Sequence, residues 1–254
     1  MRKFLLPIAA LLLSTAAVAK PSDKMAEETL SYKVMYRWGL INKQAGSATL
    51  TLKYAPDGYI SQLTASSAPW ADKIYMVRDT LNGHMLYDGM RPTFYEKIAN
   101  EGNERKHDKV SYKRTGGVTA ADCVRKVVKK GVQKVDETRT LEAQGEAVDM
   151  LSSFYFMRRL PYQNWQTGHT EKIDIFSGKR KELLTIEYHG VVKLDIDGVE
   201  KEAYYITFIF TSGGGKKTSD DMEAWISTGK DRVPLRLEGK LPVGKVHCIL
   251  TDAR

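Results

Sequence analysis

The chain has 254 residues, of which 42% are hydrophobic and 28% are charged, and its formal net charge at pH 7 is +8. This length can bury a sizeable core, in one large all-β domain or two small ones. Basic residues are scattered rather than gathered in one block. This charge fits either an ordinary solvated surface or a partner made of anionic lipid or polysaccharide, and the export signal described next argues against a nucleic-acid partner.

The first 19 residues have the pattern of a secretory signal peptide. Arg2 and Lys3 are followed by an apolar segment over 4–13, and Ala17-Val18-Ala19 forms a cleavage site before Lys20. The apolar segment is shorter than the roughly 18 residues that a membrane-spanning helix needs, and no later stretch is long or apolar enough. We expect an exported protein of the periplasm or outer membrane that is not transmembrane after processing.

The remainder divides into a flexible tail over 20–29 and a single β-rich domain over 30–254. Positions 30–38 alternate between apolar or aromatic and polar side chains, which is the period-two pattern of a half-buried strand. The alternation returns at 49–54 and at 59–65, with turn residues between these two segments. These three segments predict an antiparallel meander.

Further strands are predicted wherever short β-branched and aromatic runs are separated by turn residues. In the middle of the chain they lie at 85–87, 93–98, 109–114, 119–128 and 132–140. In the second half they lie at 172–176, 183–188, 192–196, 203–211, 222–227, 233–238 and 245–250. The run at 203–211 is apolar on both faces, which is typical of a central strand.

One segment has helical spacing instead. Over 146–160 the apolar residues recur at intervals of three and four, and Pro161 closes the segment. No repeat of 20–50 residues is visible, which excludes solenoids and propellers. The predicted fold is therefore mainly β: a large curved antiparallel sheet forming a barrel or half-barrel, with one packed amphipathic helix.

Motifs for catalysis, metal binding and phosphate binding are missing from the sequence. The five histidines are isolated, without the spacing of metal ligands. The run Gly213–Thr218 resembles a phosphate loop but fails its spacing, and no Gly-x-Ser-x-Gly nucleophile elbow occurs. We therefore expect a protein that is not an enzyme, with no metal site and no cofactor.

Aromatic residues and methionines are the feature that stands out, with 13 Tyr, 4 Trp, 7 Phe and 9 Met. Such side chains suit the wall of an apolar cavity because they combine a large area with a polar or adaptable element. An ordinary closed core would use the same residues. The candidate ligand-binding residues are Tyr32, Tyr36, Trp38, Leu50, Leu52, Phe154, Met157, Tyr204, Phe208 and Phe210.

The two cysteines, Cys123 and Cys248, leave two alternatives open. An oxidising compartment would permit a disulfide between them. They could equally be two small apolar residues that face a core.

Five short motifs occur in a consistent order. They are 30–36 with Gly39 and Ala45-Gly46, Val77-Arg78-Asp79, Asp149-Met150-Leu151-Ser152, Trp225-Ile226-Ser227 and Asp231-Arg232-Val233-Pro234-Leu235. In these motifs the chain resembles the DUF3108 family of secreted bacterial proteins over essentially its whole mature length. The resemblance implies an envelope location and a β-rich fold. It carries over no catalytic residue, because the family has no assigned activity.

Charged or polar residues inside these motifs are further candidate positions: Arg78, Asp79, Asp149, Ser152, Asp231 and Arg232. The alternative is structural. Arg78 with Asp149, or Arg232 with Asp231, would then form buried ion pairs, or the residues would cap the helix and hold strand registers.

Three functions follow from these patterns. The leading hypothesis is a non-enzymatic periplasmic or cell-envelope binding protein that holds a lipid, an acyl group or another amphipathic ligand in its curved sheet. Lys and Arg at the rim would meet anionic head groups. The alternatives are an assembly partner that docks onto another envelope protein through a sheet edge or face, and an enzyme acting on polysaccharide.

Overall fold

Fifteen β-strands make up most of the protein. They are seen in a computed structural model, which describes residues 24–241 and 243–254. The signal peptide predicted at 1–19 lies outside the described residues. The strands form one sheet that curves into a nearly closed barrel, so the predicted mainly β fold is confirmed.

All neighbouring strands are antiparallel except for one short parallel pair, β9 with β10 in the numbering that follows. The strands are β1 (Glu28–Trp38), β2 (Ile41–Ala55), β3 (Gly58–Ser67), β4 (Val77–Leu86), β5 (Pro92–Glu101), β6 (Glu104–Thr115), β7 (Val118–Lys129), β8 (Val132–Gln144), β9 (Ala147–Val148), β10 (Thr170–Phe176), β11 (Lys181–Ile196), β12 (Val199–Thr211), β13 (Met222–Ser227), β14 (Pro234–Lys240) and β15 (Lys245–Ala253). Their order in the sheet is β8-β7-β6-β5-β4-β3-β2-β1-β15-β14-β13-β12-β11-β10-β9. Strand β1 therefore pairs with both β2 and β15, which joins the first and last parts of the chain.

Within the described residues two α-helices accompany the sheet, α1 (Pro69–Asp72) and α2 (Ser152–Arg158). The helix predicted over 146–160 is correct in place but too long. Ala147 and Val148 instead bond to β10 as β9, and the helix begins only at Ser152. Apolar spacing alone could not show this, because two residues of parallel pairing leave no periodic pattern.

Turns between antiparallel strands lie at two ends of the barrel. The helix end carries the β2–β3, β4–β5 and β6–β7 turns together with α2, whose Tyr155 hydroxyl lies 2.8 Å from the Ser61 hydroxyl of β3. The far end carries the β1–β2, β5–β6, β7–β8 and β14–β15 turns. Helix α2 thus packs against the barrel wall at the helix end.

Side chains, rather than strand hydrogen bonds, close the barrel between β8 and the β9–β10 edge. Arg139 of β8 donates to the Lys179 carbonyl at 2.6 Å, and the rings of Tyr112 and Phe176 stack with centroids 5.8 Å apart. Gly178 lies against Asp108 of β6. We call this line of contacts the seam.

The first strand begins two residues before Leu30, where the β-rich domain was predicted to start, and residues 20–23 of the predicted tail lie outside the described residues. Strand β1 starts at Glu28, and the Glu27 carboxylate accepts a hydrogen bond of 2.8 Å from the Tyr54 amide. The Lys24 ammonium lies 3.8 Å from the centre of the Tyr87 ring. The described residues before Leu30 thus add strand pairing and a ring contact at the helix end.

Both cysteines are free in the structure, so a disulfide between them is not formed there. Cys123 is fully buried in β7, and Cys248 is half-buried in β15. Burial raises the pKa of each thiol to about 11. The core-facing alternative therefore describes both residues.

Candidate functional site

A cleft of about 380 Å³ opens at the helix end between α2 and the barrel wall. Residues 88–92 and 146–148 form it together with Phe156, Arg159, Leu160 and Ile173. Ligand pockets in proteins typically measure about 300–1,000 Å³, so this volume suits a small molecule. We call it the α2 cleft.

The floor of the α2 cleft is apolar. Its side chains are Met90, Pro92, Ala147, Val148, Phe156, Leu160 and Ile173, and all except the half-buried Phe156 are buried. Met90 sits in the β4–β5 turn with φ of 50°, beside Gly89 at 71°. A non-glycine residue rarely adopts this conformation, so burial of the Met90 side chain has to offset its backbone strain.

Arginines and carboxylates surround this floor. Arg91 pairs with Asp88 at 2.7 Å and approaches Glu146 at 3.7 Å, and Arg114 approaches Glu146 from the other side at 3.2 Å. The Arg91 Nε and one terminal nitrogen of Arg114 are buried without a hydrogen-bond partner among the described residues. Arg91 and Arg114 therefore have guanidinium N–H donors on this side of the cleft in addition to those that contact Glu146.

Arg159 lies on the other side of the cleft. Its guanidinium donates to the Gly89 carbonyl, and among the residues that the structure describes it forms no ion pair with a carboxylate. A guanidinium can make five hydrogen bonds and binds carboxylate and phosphate well. The α2 cleft thus offers an apolar surface next to an unpaired cation, which suits an amphipathic anion.

Residues that we expected to line a cavity lie elsewhere. None of the ten lines the α2 cleft. Seven of them are at least nine-tenths buried and belong to the packed core: Tyr32, Leu50, Leu52, Met157, Tyr204, Phe208 and Phe210. Phe154 packs partly buried against the same core, Tyr36 is half-buried, and Trp38 is exposed.

Arg78 does not pair with Asp149, which corrects one of the two predicted ion pairs. Arg78 is exposed on β4 and pairs with Asp72 of α1 at 2.7 Å. Asp149 is fully enclosed at the start of α2, where its carboxylate accepts hydrogen bonds from the amides of Leu151 and Ser152 at 2.9 and 2.8 Å. The Ser152 hydroxyl accepts in return from the Asp149 amide at 2.8 Å, so the two residues cap the helix reciprocally.

The other predicted pair, Arg232 with Asp231, is also not formed. Arg232 donates to the Leu160 carbonyl at 3.0 Å and to Gln163 at 2.7 Å, and it lies over the ring of Tyr204. The Asp231 carbonyl accepts a hydrogen bond of 2.8 Å from Arg158. Both residues thus hold the turn before β14 against the end of α2.

The sixth motif position, Asp79, belongs to a group of charged side chains that face the barrel interior at the far end. Asp79 lies close to Glu101, and Lys106 donates to Glu101 at 2.7 Å. Burial, and then the charge of Glu101, raise the pKa of Asp79. Burial is the largest single influence on Glu101 and opposes its ionisation, but the hydrogen bond from Lys106 and the charges of Lys97 and Lys106 together lower the pKa of Glu101.

Sequence reasoning missed the α2 cleft because its residues come from four separated segments. The only local signal was the apolar spacing of 146–160, which includes Phe156 and Leu160.

Among the described residues, no group of three or more His, Cys, Asp or Glu is arranged to hold a metal ion. No helix in the described part of the chain is both long and apolar enough to span a bilayer.

Comparisons with known proteins agree with this fold. A similar solved structure is that of a beta-barrel-like protein of the domain of unknown function DUF1849 from Brucella abortus, with a TM-score of 0.62 and 10% identity. The match covers 91% of this chain and 98% of that one, and at this identity it shows a shared fold alone. No curated protein matches the chain. Residues 31–251 match the family described as protein of unknown function (DUF3108), and the chain therefore belongs to the DUF3108 family.

Proposed function

We propose that this is a non-enzymatic binding protein of the periplasm or cell envelope, and that its α2 cleft holds an amphipathic anion. The acyl or other apolar part of the ligand lies on the floor beside Phe156 and Ile173. Its carboxylate or phosphate group meets Arg159.

The observation that carries this proposal is the position of Arg159 beside an apolar floor, where its guanidinium forms no ion pair with a carboxylate of the described residues. An apolar cleft without a cation would bind apolar molecules regardless of charge, and a cation without the apolar floor would bind any small anion. Together they select molecules with both parts, because each part gains a separate contribution to the free energy of binding. The cleft replaces the interior of the sheet as the ligand site that we favour, because aromatic residues fill that interior.

The envelope location rests on the sequence of residues 1–19, with its basic start, apolar segment and Ala17-Val18-Ala19. It is tested by fractionating the cells and sequencing the N-terminus of the purified protein. We expect a periplasmic or membrane-associated protein that begins at Lys20. A cytoplasmic protein that retains residues 1–19 would contradict the proposed location.

Docking through a sheet edge ranks second. Strand β8 is one edge of the sheet, but its exposed positions are largely charged or polar, which hinders the addition of another strand.

A polysaccharide-acting enzyme ranks third. Asp88 and Glu146, the carboxylates at the α2 cleft, each form an ion pair with an arginine, so both are already engaged within the protein.

Binding of decanoate and of decanol, measured by isothermal titration calorimetry, tests the ligand proposal. The two probes share a chain and differ in charge. We expect decanoate to bind several-fold more tightly than decanol. Arg159→Gln should abolish this preference. Ile173→Trp should weaken the binding of both probes, because the indole ring would occupy the apolar floor.

Arg105→Gln is the matched control, since Arg105 is an exposed arginine on β6 away from the cleft. This variant should bind both probes as the unaltered protein does. The proposal fails if neither probe binds, or if Arg159→Gln keeps the preference for decanoate. Native mass spectrometry of the protein purified from its own cells then identifies the natural ligand class by what co-purifies.

A further inference from the structure

Large apolar side chains project into solvent at the far end of the barrel. Leu40 in the β1–β2 turn is 106% exposed, and Trp38 and Ile41 beside it are 55% and 44% exposed. Leu241 and Val243 in the β14–β15 turn are also exposed. Burying such side chains gives a favourable free energy, so a surface that displays several of them together is a candidate for contact with an apolar phase.

These two turns are neighbours in space. The Tyr36 hydroxyl of β1 donates to the Val243 carbonyl at 3.1 Å, and Gly244 lies directly against the Arg37 backbone. A third apolar tip, with Ile74 and Tyr75 exposed, follows α1. It is tied to the same end because the Trp70 indole of α1 donates to the Gln44 carbonyl of β2 at 2.8 Å. We call these three tips the apolar rim.

Every tip of the apolar rim is flanked by basic residues. They are Arg37, Lys43, Lys73, Lys240 and Lys245, of which all but the half-buried Lys245 are exposed. In the described part of the chain, none of the five forms an ion pair with a carboxylate. The segments 37–43 and 240–245 contain no acidic residue, and Asp72, beside Lys73, is paired with Arg78.

Apolar tips with unpaired cations behind them match the profile of an anionic bilayer surface. Side chains that protrude from separate turns reach the acyl region, while Lys and Arg remain at the head groups. Trp and Tyr also favour the membrane interface because they are amphipathic. A protein partner is a poorer fit, since a protein interface typically has a contiguous and well-packed apolar centre.

We infer that the apolar rim docks this protein onto the surface of an anionic lipid bilayer, with Leu40 and its neighbours inserted and the five cations against the head groups. This inference is independent of the proposed ligand site, because the α2 cleft lies at the opposite end of the barrel. Docking in this orientation would leave that cleft facing the aqueous phase.

A local probe provides the test, because residues 4–13 of the full chain are themselves apolar. An environment-sensitive fluorophore is attached at Leu40→Cys in a Cys248→Ala background, where the remaining Cys123 is fully buried. The matched control carries it at Ile60→Cys, an exposed position on the outer wall of β3. The probe is followed with vesicles of phosphatidylcholine containing one-third phosphatidylglycerol, and with vesicles of phosphatidylcholine alone.

We expect a blue shift at position 40 with the anionic vesicles, several-fold weaker binding to the neutral ones, and no shift at position 60. The double variant Arg37→Gln with Lys245→Gln should weaken vesicle affinity by about ten-fold or more. Lys53→Gln with Lys172→Gln removes the same charge from exposed positions away from the rim and should have a much smaller effect.

Three results would overturn the inference. One is a silent probe at position 40 with the anionic vesicles. Another is a shift of the same size with neutral lipid, which would remove the role of the cations. The third is a shift that grows with protein concentration in the absence of vesicles, which would assign the apolar rim to contact between copies of this chain.

Discussion

Arg158, in the last turn of α2, binds the Glu28 carboxylate at the start of β1 through both of its terminal nitrogens, one of them at 2.9 Å. Arg158 is only 1% exposed, and it also donates to the carbonyls of Asp231 and Arg232 at 2.8 and 2.9 Å. One side chain thus joins α2, the first strand and the turn before β14. A buried guanidinium is tolerated only because these groups receive its hydrogen bonds.

Replacing Arg158 should therefore destabilise the protein strongly. We expect Arg158→Met to lower the free energy of unfolding by about 3–5 kcal/mol, because it leaves Glu28 and two carbonyls buried without a partner. Urea denaturation measures this change. Adding Glu28→Gln should recover part of the loss, since it removes the uncompensated charge.

The exposed pair Lys193–Glu200, 2.8 Å apart, provides the control. Lys193→Met should change the free energy of unfolding by less than about 1 kcal/mol, because solvent screens exposed pairs. An Arg158→Met cost no larger than that of Lys193→Met would contradict the structural role of Arg158.

Asp149 should make stability depend on pH. Burial raises the pKa of its carboxyl to about 6, although hydrogen bonds from Ser152 and Leu151 partly oppose this. Between pH 4 and pH 6 the unfolded chain ionises this carboxyl more readily than the folded protein does. Its contribution to stability therefore falls as the pH rises through this window and is constant above it.

Asp149→Asn removes that titration and keeps an oxygen that can accept the helix amides. The free energy of unfolding of this variant, relative to the unaltered protein, should rise between pH 4 and pH 7 by up to about 3 kcal/mol. Denaturation at several pH values measures it. Asp220→Asn, at an exposed loop position, should follow the profile of the unaltered protein. A constant difference for Asp149→Asn across this range would argue against a titrating Asp149.

The interior charges at the far end should respond to loss of Lys106, which donates to Glu101 at 2.7 Å and pairs with Glu104 at 3.0 Å. Lys106→Met should lower the free energy of unfolding at pH 7.5 by about 1–3 kcal/mol. Without this cation the pKa of Glu101 rises. The difference in free energy of unfolding between Lys106→Met and the unaltered protein should therefore narrow as the pH falls to 4.5.

Lys109→Met is the comparison for that variant, because Lys109 is more exposed and lies 3.3 Å from Glu96 on the outer wall. We expect Lys109→Met to lower the free energy of unfolding by less than Lys106→Met does. Its difference from the unaltered protein should change little with pH. Equal pH dependence for both variants would show that the interior position of Lys106 does not matter.

The seam should be sensitive at Gly178, which has φ of 80°. A Cβ at this position would lie 2.8 Å from the Asp108 Cβ, whereas one at Gly131, with φ of 77°, would have no atom within 4 Å. Both alanine variants incur the cost of positive φ, about 1–2 kcal/mol. Only Gly178→Ala also pushes the seam apart.

We therefore expect Gly178→Ala to be the less stable of the two and to speed amide hydrogen exchange in β8 and β10. Exchange in these strands should be unchanged in Gly131→Ala. Identical stability and exchange in the two variants would mean that the seam contact is dispensable.

Alternation and turn residues were enough to predict most strands and the curved sheet. Strands β1 to β3 show why: each has one face against the core and one toward solvent, so the period of two is visible in the sequence. Strand β5 shows the limit. Its pattern would place Ile98 inside and Lys97 outside, but the register puts Lys97 and Glu101 toward the interior and leaves Ile98 39% exposed.

The amino-acid sequence by itself determined the fold class, the place of the one substantial helix and the family, because these depend on periodicity and on short motifs within the chain. Only the tertiary structure decided the partners of Arg158 and Arg78, the extent of α2 and the position of the α2 cleft. Each of these depends on which distant segments meet. Strand register and closure of the barrel decide which distant segments meet, and local sequence patterns carry no information about either.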